Sequence, residues 1–544
     1  MRRLRALLAT LVRTLEDEYC CRRVFSMAFY AESWLTELLV GLSLVVVAVY
    51  VWFSHSYKYW KKKGAPYQEP QFPFGTAKDI ILGKRSFAVG SSDLYRQFKG
   101  NRFFGTYFFH RPGLVVMDPD LIRSILVKDF WTFQDRAVPV NENEPLNHHL
   151  FVLRGDKWRR LRVKLTPTFT SGKMKMMFQT MADCGREMAE VLEGPASRGE
   201  ALEMRELSAR YTTDVIASVA FGIQVSCQRD PENEFRQWGR RIFSQGVLDV
   251  LAIIVSSIHP KLPTLLRMKS SSSLVSEYFR SMVRETVKYR EENNITRNDF
   301  MQLMIQLKNK GSIDGNKGGE LKDAEADAWK LSIDDVAAQA FVFFIAGFET
   351  SSTTMSFALH ELAHHPDIQA RLQEEIDSVL KQHDGQVTYE AINSMSYLDK
   401  VVAETLRLYP PIAGLVRECN AEYKIPDSEV VLDKGIAVTI PVYDLHHDPE
   451  FYPDPERFDP ERFSEEQKAQ RHPYVYLPFG DGPRNCIGMR FGLLQTKVGL
   501  TNILSNYKAE PCEKTVRHLS FEPRSIILTP ESGIQLRLSK RNKV

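Results

Sequence analysis

The chain has 544 residues, with 71 Lys and Arg against 68 Asp and Glu and a formal net charge of +3. That near balance argues against nucleic acid as a principal partner, and the length allows one large domain or several. Seven cysteines (Cys20, Cys21, Cys184, Cys227, Cys419, Cys486 and Cys512), odd in number and scattered, suit a reducing compartment rather than a disulfide framework.

Residues 1–33 are read as an extension ahead of the first strongly apolar segment. Its arginines (Arg2, Arg3, Arg5, Arg13, Arg22, Arg23) suggest a mitochondrial presequence, but Glu16, Asp17 and Glu18 count against one. They also conflict with the topology inferred below. A start at Met27 would leave only Glu32 and Glu37 ahead of the apolar run, so the arginine-rich front is expected to be a non-native or optional start. Trp34 to Phe53 holds a single charge, Glu37, and is long enough for a bilayer core of about 30 Å. Trp52, Tyr57, Tyr59 and Trp60 mark an aromatic belt, and Lys58 with Lys61, Lys62 and Lys63 follows, which predicts a cytosolic side for everything downstream. Residues 34–53 are therefore a predicted transmembrane anchor, 54–75 a basic, proline-rich hinge, and 76–544 one catalytic domain.

Between Phe133 and His149 lies a polar loop punctuated by prolines, and Asp156 to Leu165 reads as a helix closed by Pro167. Trp158, Leu161, Arg162 and Leu165 share one face, and Lys157, Arg160 and Lys164 the other. A basic residue on an inward, aromatic face requires an anion. Residues 180–310 are predicted mostly helical, with Asp214, Val215, Ala217, Ser218 and Phe221 on a core helix. Gly246 to Ile258 is apolar and reads equally as core or as a roof over a binding site that dips into a membrane surface. Lys308 to Asp327, rich in Gly, Lys, Asp and Glu, reads as a surface loop. Ser332 with Asp335 forms a capping box, which predicts a helix from Ile333 to His364, before Pro366, about 48 Å long. Its apolar body is interrupted by Gly347, Phe348, Glu349 and Thr350. A back-bonded threonine and a paired glutamate would account for this as well as a functional site would. Glu404 and Arg407 sit three residues apart on a helix that ends at Pro410 and Pro411, with Pro455-Glu456-Arg457-Phe458 further on.

The most informative stretch is Phe479-Gly-Asp-Gly-Pro-Arg-Asn-Cys-Ile-Gly488. Glycines permit tight turns and close approach to a flat ligand, and a cysteine just ahead of a helix is biased toward thiolate by the dipole and nearby N–H groups. Such a thiolate is a nucleophile or a metal ligand.

Phe479, Gly482, Arg484, Cys486 and Gly488 resemble the haem-binding loop of the cytochrome P-450 superfamily, and motifs in the same order across residues 34–535 resemble its insect microsomal members that metabolise xenobiotics. The resemblance implies a mainly α fold with small β-sheets (α+β), the cytochrome P-450 fold, preceded by a single transmembrane helix. It implies haem (iron protoporphyrin IX) bound through Cys486, with Trp158, Arg162, Arg417, His446 and Arg484 toward the propionates and Phe479 in the cysteine loop. Gly347 would leave room above the haem, Thr350 would hydrogen-bond dioxygen, and Glu349 would relay protons. Glu404 and Arg407 would be buried and cross-linked to Arg457 in support of the cysteine loop, while Tyr409 to Val416 and Ser525 to Leu528 would line the substrate pocket.

The implied activity is that of a haem-thiolate monooxygenase, inserting one atom of dioxygen into apolar small molecules such as plant toxins, insecticides or endogenous lipids and hormones. Electrons would come from NADPH through a separate NADPH–cytochrome P-450 reductase docked on the Lys157, Arg160 and Lys164 face, with cytochrome b5 an optional partner, since this chain has no flavin or nucleotide fingerprint. The location implied is the endoplasmic reticulum membrane. Two alternatives are a haem-thiolate isomerase or dehydratase needing no reductase, which would usually lack the acid–threonine pair, and a non-catalytic haem-binding sensor or lipid carrier. The sequence does not identify a substrate.

Overall fold

The computed structural model describes residues 34–138, 140, 143–243, 255, 272–313 and 330–541. The expected apolar run forms helix α1 (Trp34–Ser56), about 35 Å long at 1.5 Å per residue. Leu38, Leu42, Val46 and Tyr50 lie more than half exposed along it, so no protein surface covers most of its flank. Length and exposed apolar character together are consistent with a membrane anchor. The Gly246–Ile258 expectation, apart from Val255, and most of the Lys308–Asp327 expectation lie outside the described residues, as does the arginine-rich front.

The segment expected to act as a hinge is stitched to the domain instead. Helix α2 (Tyr59–Lys63) buries Trp60 completely. Strand β1 (Phe103–Phe108) pairs with β2 (Arg111–Val116), and Trp60 Nε1 donates to the Thr106 carbonyl at 3.1 Å. Tyr67 bridges to Gly105 and Gly75 to Phe108, so the prolines shape a strap along β1 rather than a free spacer.

Helix α3 (Gly155–Leu165) and helix α4 (Met204–Ile216) follow, the latter entered from strand β3 (Ala201–Glu203). A π-turn, Ala217–Phe221, continues α4, so the five core residues predicted together fall on one element. The capping box forms as expected: Ser332 and Asp335 bond each other's backbone N–H, and α5 runs Ile333–His364. Helix α6 (Ser396–Leu408) and strands β4 (Leu415–Glu418) and β5 (Ala437–Ile440) precede helix α7 (Met489–Leu504) and strands β6 (Tyr507–Pro511) and β7 (Gln535–Lys540). The first sheet has the order β1-β2-β5-β4, with β2 and β5 parallel and the other pairs antiparallel; the second has the order β3-β7-β6 and is antiparallel. This is a mainly helical fold with small sheets, as predicted.

Two cores organise it. The larger surrounds α5, which is buried from Val336 to Ala340 and from Ser351 to Ala363. The smaller fills the space between α2 and the first sheet, around Trp60, Phe104 and Tyr107.

The smaller core makes a direct prediction. A Cβ at Gly105 would lie 2.4 Å from Cγ of the fully buried Trp60 ring. Gly105→Ala should cost about 1–3 kcal/mol by overpacking, read as a lower denaturant midpoint. An unchanged midpoint would mean that the strap is not anchored there.

Candidate active site

Cys486 sits on a loop whose shape is set by glycine. Gly480 and Gly482 have φ of +66° and +71°, and a Cβ on Gly482 would lie 2.0 Å from the Leu126 carbonyl oxygen. No other residue fits that position. The Cys486 N–H closes the loop by donating to the Phe479 carbonyl at 2.9 Å, and the Phe479 ring packs on the main core. Arg162, projecting from α3, grips the loop from outside: Nη1 donates to the Asn485 carbonyl at 3.0 Å and Nη2 to Asn485 Oδ1 at 2.6 Å.

The thiol does not behave as the helix dipole alone suggests. Burial pushes it above its ordinary range, while the Gly488 N–H and the Arg162 and Arg136 guanidiniums pull the other way. A thiolate here therefore needs a further positive charge at sulfur, which a metal ion supplies. Among the described residues no three His, Cys, Asp or Glu side chains gather as a ready metal cage. A metal at Cys486 must bring its other ligands with it, as a porphyrin does.

Around the thiol stands an excess of buried positive charge. Arg417, on β4, is 2% exposed; Nη1 donates to the neighbouring Val416 carbonyl, Nε has no partner, and burial pushes its pKa down to about 10. Arg484 is equally buried. Its Nη1 donates to the Phe151 carbonyl at 3.2 Å, its Nη2 to the Leu153 carbonyl, and its Nε to nothing. Burial pushes it down to about 9 against the pull of Asp135, 3.7 Å away. Trp158 lies beneath it, with the ring centroid 4.5 Å from the guanidinium carbon. Arg136, which the sequence reading missed, donates to the Phe151 carbonyl at 2.9 Å and is pushed well down, by burial first and then by Arg417 and Arg484. Asp135, 3.7 Å from Arg484, is a single carboxylate and cannot balance the three guanidiniums of Arg136, Arg417 and Arg484. Burying cations without anions costs several kcal/mol each, so these arginines fit a ligand that carries carboxylates. Haem, a planar group with two propionates, matches both the charge and the orphaned Nε atoms.

The middle of α5 packs against the start of the helix that follows Cys486. A Cβ on Gly347 would lie 4.0 Å from Phe491, and one on Gly492 3.7 Å from Ser351 Oγ, so the start of α7 abuts the centre of α5. Ala346 is exposed there although α5 crosses the interior, so this turn borders an open space. Thr350 Oγ1 donates to the Ala346 carbonyl at 2.5 Å, and Thr212 Oγ1 on α4 donates to the Phe348 carbonyl at 2.8 Å. The expected pocket loops also meet at this site: the Leu528 N–H donates to the Pro411 carbonyl at 2.9 Å, and a Cβ on Gly480 would lie 3.5 Å from the Leu415 side chain.

Gly347 lies against α4, where a Cβ would sit 2.9 Å from Ile216 Cδ1. Glu349 is ion-paired with Arg205 of α4, as the paired-glutamate alternative had it. Two expectations need correction. His446 is not among the arginines; Nδ1 donates to the Arg407 carbonyl at 3.0 Å and Nε2 accepts from the Leu477 N–H at 3.0 Å, which leaves no ring nitrogen for an anion. Finally, Glu404 and Arg407 do form a fully buried pair at 2.7 Å, but Arg457 contributes only its backbone carbonyl. The side chain that reaches Glu404, at 3.5 Å, is Arg462. Pro-Glu-Arg-Phe occurs twice, at 455–458 and 460–463, and the second copy carries the contact. The signal for Arg136 was equally local: the aromatic run Phe130-Trp-Thr-Phe133 leads directly into Asp135 and Arg136.

The repeat can be tested. Arg462 is 10% exposed and Arg457 lies on the surface. Arg462→Ala should cost about 1–3 kcal/mol by leaving Glu404 less satisfied, while Arg457→Ala should stay within about 0.5 kcal/mol. Denaturant unfolding of both variants decides, and the opposite ranking would restore the first copy.

A family model described as Cytochrome P450 matches residues 82–538. The probable cytochrome P450 6a14 of Drosophila melanogaster is 42% identical over 512 residues, covering 93% of this chain and 99% of that protein. Cytochrome P450 6k1 of Blattella germanica is 41% identical, with 93% and 97% covered, and cytochrome P450 9e2 of the same species is 39% identical, with 92% and 97% covered.

Proposed function

We propose that this chain, which belongs to the cytochrome P450 family and is a haem-binding monooxygenase by that membership, oxidises apolar small molecules at a membrane surface with electrons from NADPH delivered by a separate reductase. The observation that supports this reading is the buried Arg417 and Arg484, with the half-buried Arg136 and Arg162, beside an exposed cysteine on the loop ahead of α7, whose start packs on the middle of α5. When bound, haem held by a cysteine thiolate supplies the activation of dioxygen and the one-electron chemistry.

The chain's residues then divide the remaining work. Cys486 would hold the haem iron through its sulfur, on a loop fixed by the Phe479 carbonyl and by Arg162 through Asn485. Arg136, Arg417 and Arg484 would receive the propionates, with Trp158 fixing the plane of Arg484. Thr350 is the proton-handling hydroxyl. Its own proton is spent on the Ala346 carbonyl, so its oxygen offers lone pairs to the open space and can pass a proton only by exchanging that bond. Glu349 would feed the same path only after loosening Arg205, which is itself 35% exposed and so within reach of water. Ile412 and Ile526, at 38% and 68% exposure on the paired loops, give the pocket apolar surface. The candidate substrates are therefore xenobiotics, lipids or hormones without charge.

For the reductase, Lys157 and Arg160 stand exposed on the outer face of α3, behind the cysteine loop, where an acidic flavoprotein would bring its electrons close. Cytochrome b5 is acidic and would use the same face. The lysines after α1 support a cytosolic side for the domain in this reading, and the membrane proposed is that of the endoplasmic reticulum. Residues 34–53 are the anchor in this reading, and 76–544 the haem domain.

Two substitutions test the assignment. Cys486→His should abolish the long-wavelength band of the reduced carbon-monoxide complex that marks a thiolate ligand; its persistence would remove Cys486 from the role. Thr350→Ala should leave haem content and substrate binding intact while less product and more hydrogen peroxide form per NADPH consumed. An unchanged ratio with two unrelated substrates would leave Thr350 only its back-bond to the helix.

A further inference from the structure

The last turn of α5 carries side chains that the haem site does not use. It reads His360-Glu361-Leu362-Ala363-His364 and lies ten residues, about 15 Å, beyond Thr350 along the helix. Two histidines four residues apart share one face of a helix, the spacing with which a helix chelates a divalent metal. Their rings lie side by side, with centroids 4.5 Å apart.

Hydrogen bonds fix which nitrogen of each neutral ring carries the proton. His364 Nδ1 lies 2.8 Å from the His360 carbonyl oxygen, and His360 Nε2 lies 3.4 Å from that of Arg517. A carbonyl oxygen only accepts, so both of these nitrogens donate. Nδ1 of His360 and Nε2 of His364 are left with lone pairs, the form in which imidazole binds a metal. His360 is 2% exposed and its Nδ1 has no hydrogen-bond partner, a burial cost that a bound ion would remove. His364 is only partly buried, so solvent reaches the pair from the helix end. That end also favours positive charge, because the peptide dipoles of a 32-residue helix point their negative pole there.

Glu361, although set between the two histidines in sequence, serves elsewhere. Its Oε1 accepts from the Tyr409 hydroxyl at 2.5 Å, and its Oε2 lies 3.4 Å from His365 Nδ1. It is therefore neither a third ligand nor the free base of a hydrolytic zinc site. The protein offers two imidazoles, and water would complete the shell. Imidazole suits Zn2+, Cu2+ and Ni2+, whereas Mg2+ and Ca2+ seek oxygen.

We propose that His360 and His364 bind one borderline divalent transition-metal ion, such as Zn2+, at the C-terminal end of α5.

The test uses the full, haem-loaded chain without a polyhistidine tag, titrated with Zn2+ in a calorimeter. Zn2+ should fill one saturable site that Mg2+ does not fill. His364→Gln and His360→Gln should each weaken it by at least about tenfold, since loss of a mere outer-shell partner already costs about 10–100-fold. His518→Gln, at an exposed position on another segment, should leave it unchanged. Should the buried His360 variant fail to fold, the partly buried His364 variant alone decides, its fold checked by the reduced carbon-monoxide band. X-ray absorption at the zinc edge of the one-to-one complex, which haem iron does not obscure, should show two imidazole nitrogens at about 2.0–2.1 Å. No saturable Zn2+ binding, equal affinity in the unsubstituted chain and His364→Gln, or fewer than two imidazoles on zinc would overturn the proposal.

Discussion

The structure turns on one electrostatic constraint: the guanidiniums of Arg136, Arg417 and Arg484 gather beside a single thiol, and the one carboxylate against Arg484, Asp135, carries too little charge to balance them. A protein interior does not tolerate that arrangement without an anion. Each surrounding element can be read as a means of holding it. β4 carries Arg417, α3 brings Arg162 and Trp158, and the cysteine loop contributes Arg484 and bends only because Gly482 fits against the Leu126 carbonyl. Neutral carbonyls of Phe151 and Leu153 accept from Arg136 and Arg484, which leaves the charge itself for a ligand. Haem would supply the missing carboxylates and the positive centre that a thiolate at Cys486 requires.

Opposite that cluster, α5 reconciles two demands. It must be apolar all round to cross the interior, and it must present polar groups at its centre. Extra bonds at the carbonyls of Ala346 and Phe348 occupy the hydroxyls of Thr350 and Thr212, and Arg205 neutralises Glu349. Each polar group is satisfied within the protein, yet each is one exchange away from another partner. That is the condition for moving protons without leaving a buried charge unpaired.

Where a property was local, the sequence disclosed it. The capping box at Ser332 and the proline at 366 bound α5 to the residue, because helix ends follow short-range rules. Helical spacing puts Trp158 and Arg162 on the face of α3 that meets the cysteine loop, through Arg484 and Asn485, and the glycines mark the loop itself. What depended on the third dimension was not legible. Two copies of Pro-Glu-Arg-Phe are indistinguishable until one side chain reaches Glu404. His446 looks like any cationic ligand until both its nitrogens are found bonded. Arg136 lies in a loop with no periodicity to mark an inward face, and the aromatic run before it is the one local hint. The proline-rich strap read as a spacer because its partner, β1, lies some thirty residues away.

The central claim is that this site transfers an atom of dioxygen to an apolar substrate at the expense of NADPH. Turnover under isotopically heavy dioxygen, with purified reductase and mass analysis of the product, tests it most directly. The account predicts one heavy oxygen atom per product molecule, none from heavy water, and no reaction without NADPH. Conversion that proceeds without NADPH, or product that carries no oxygen from the gas, would contradict it.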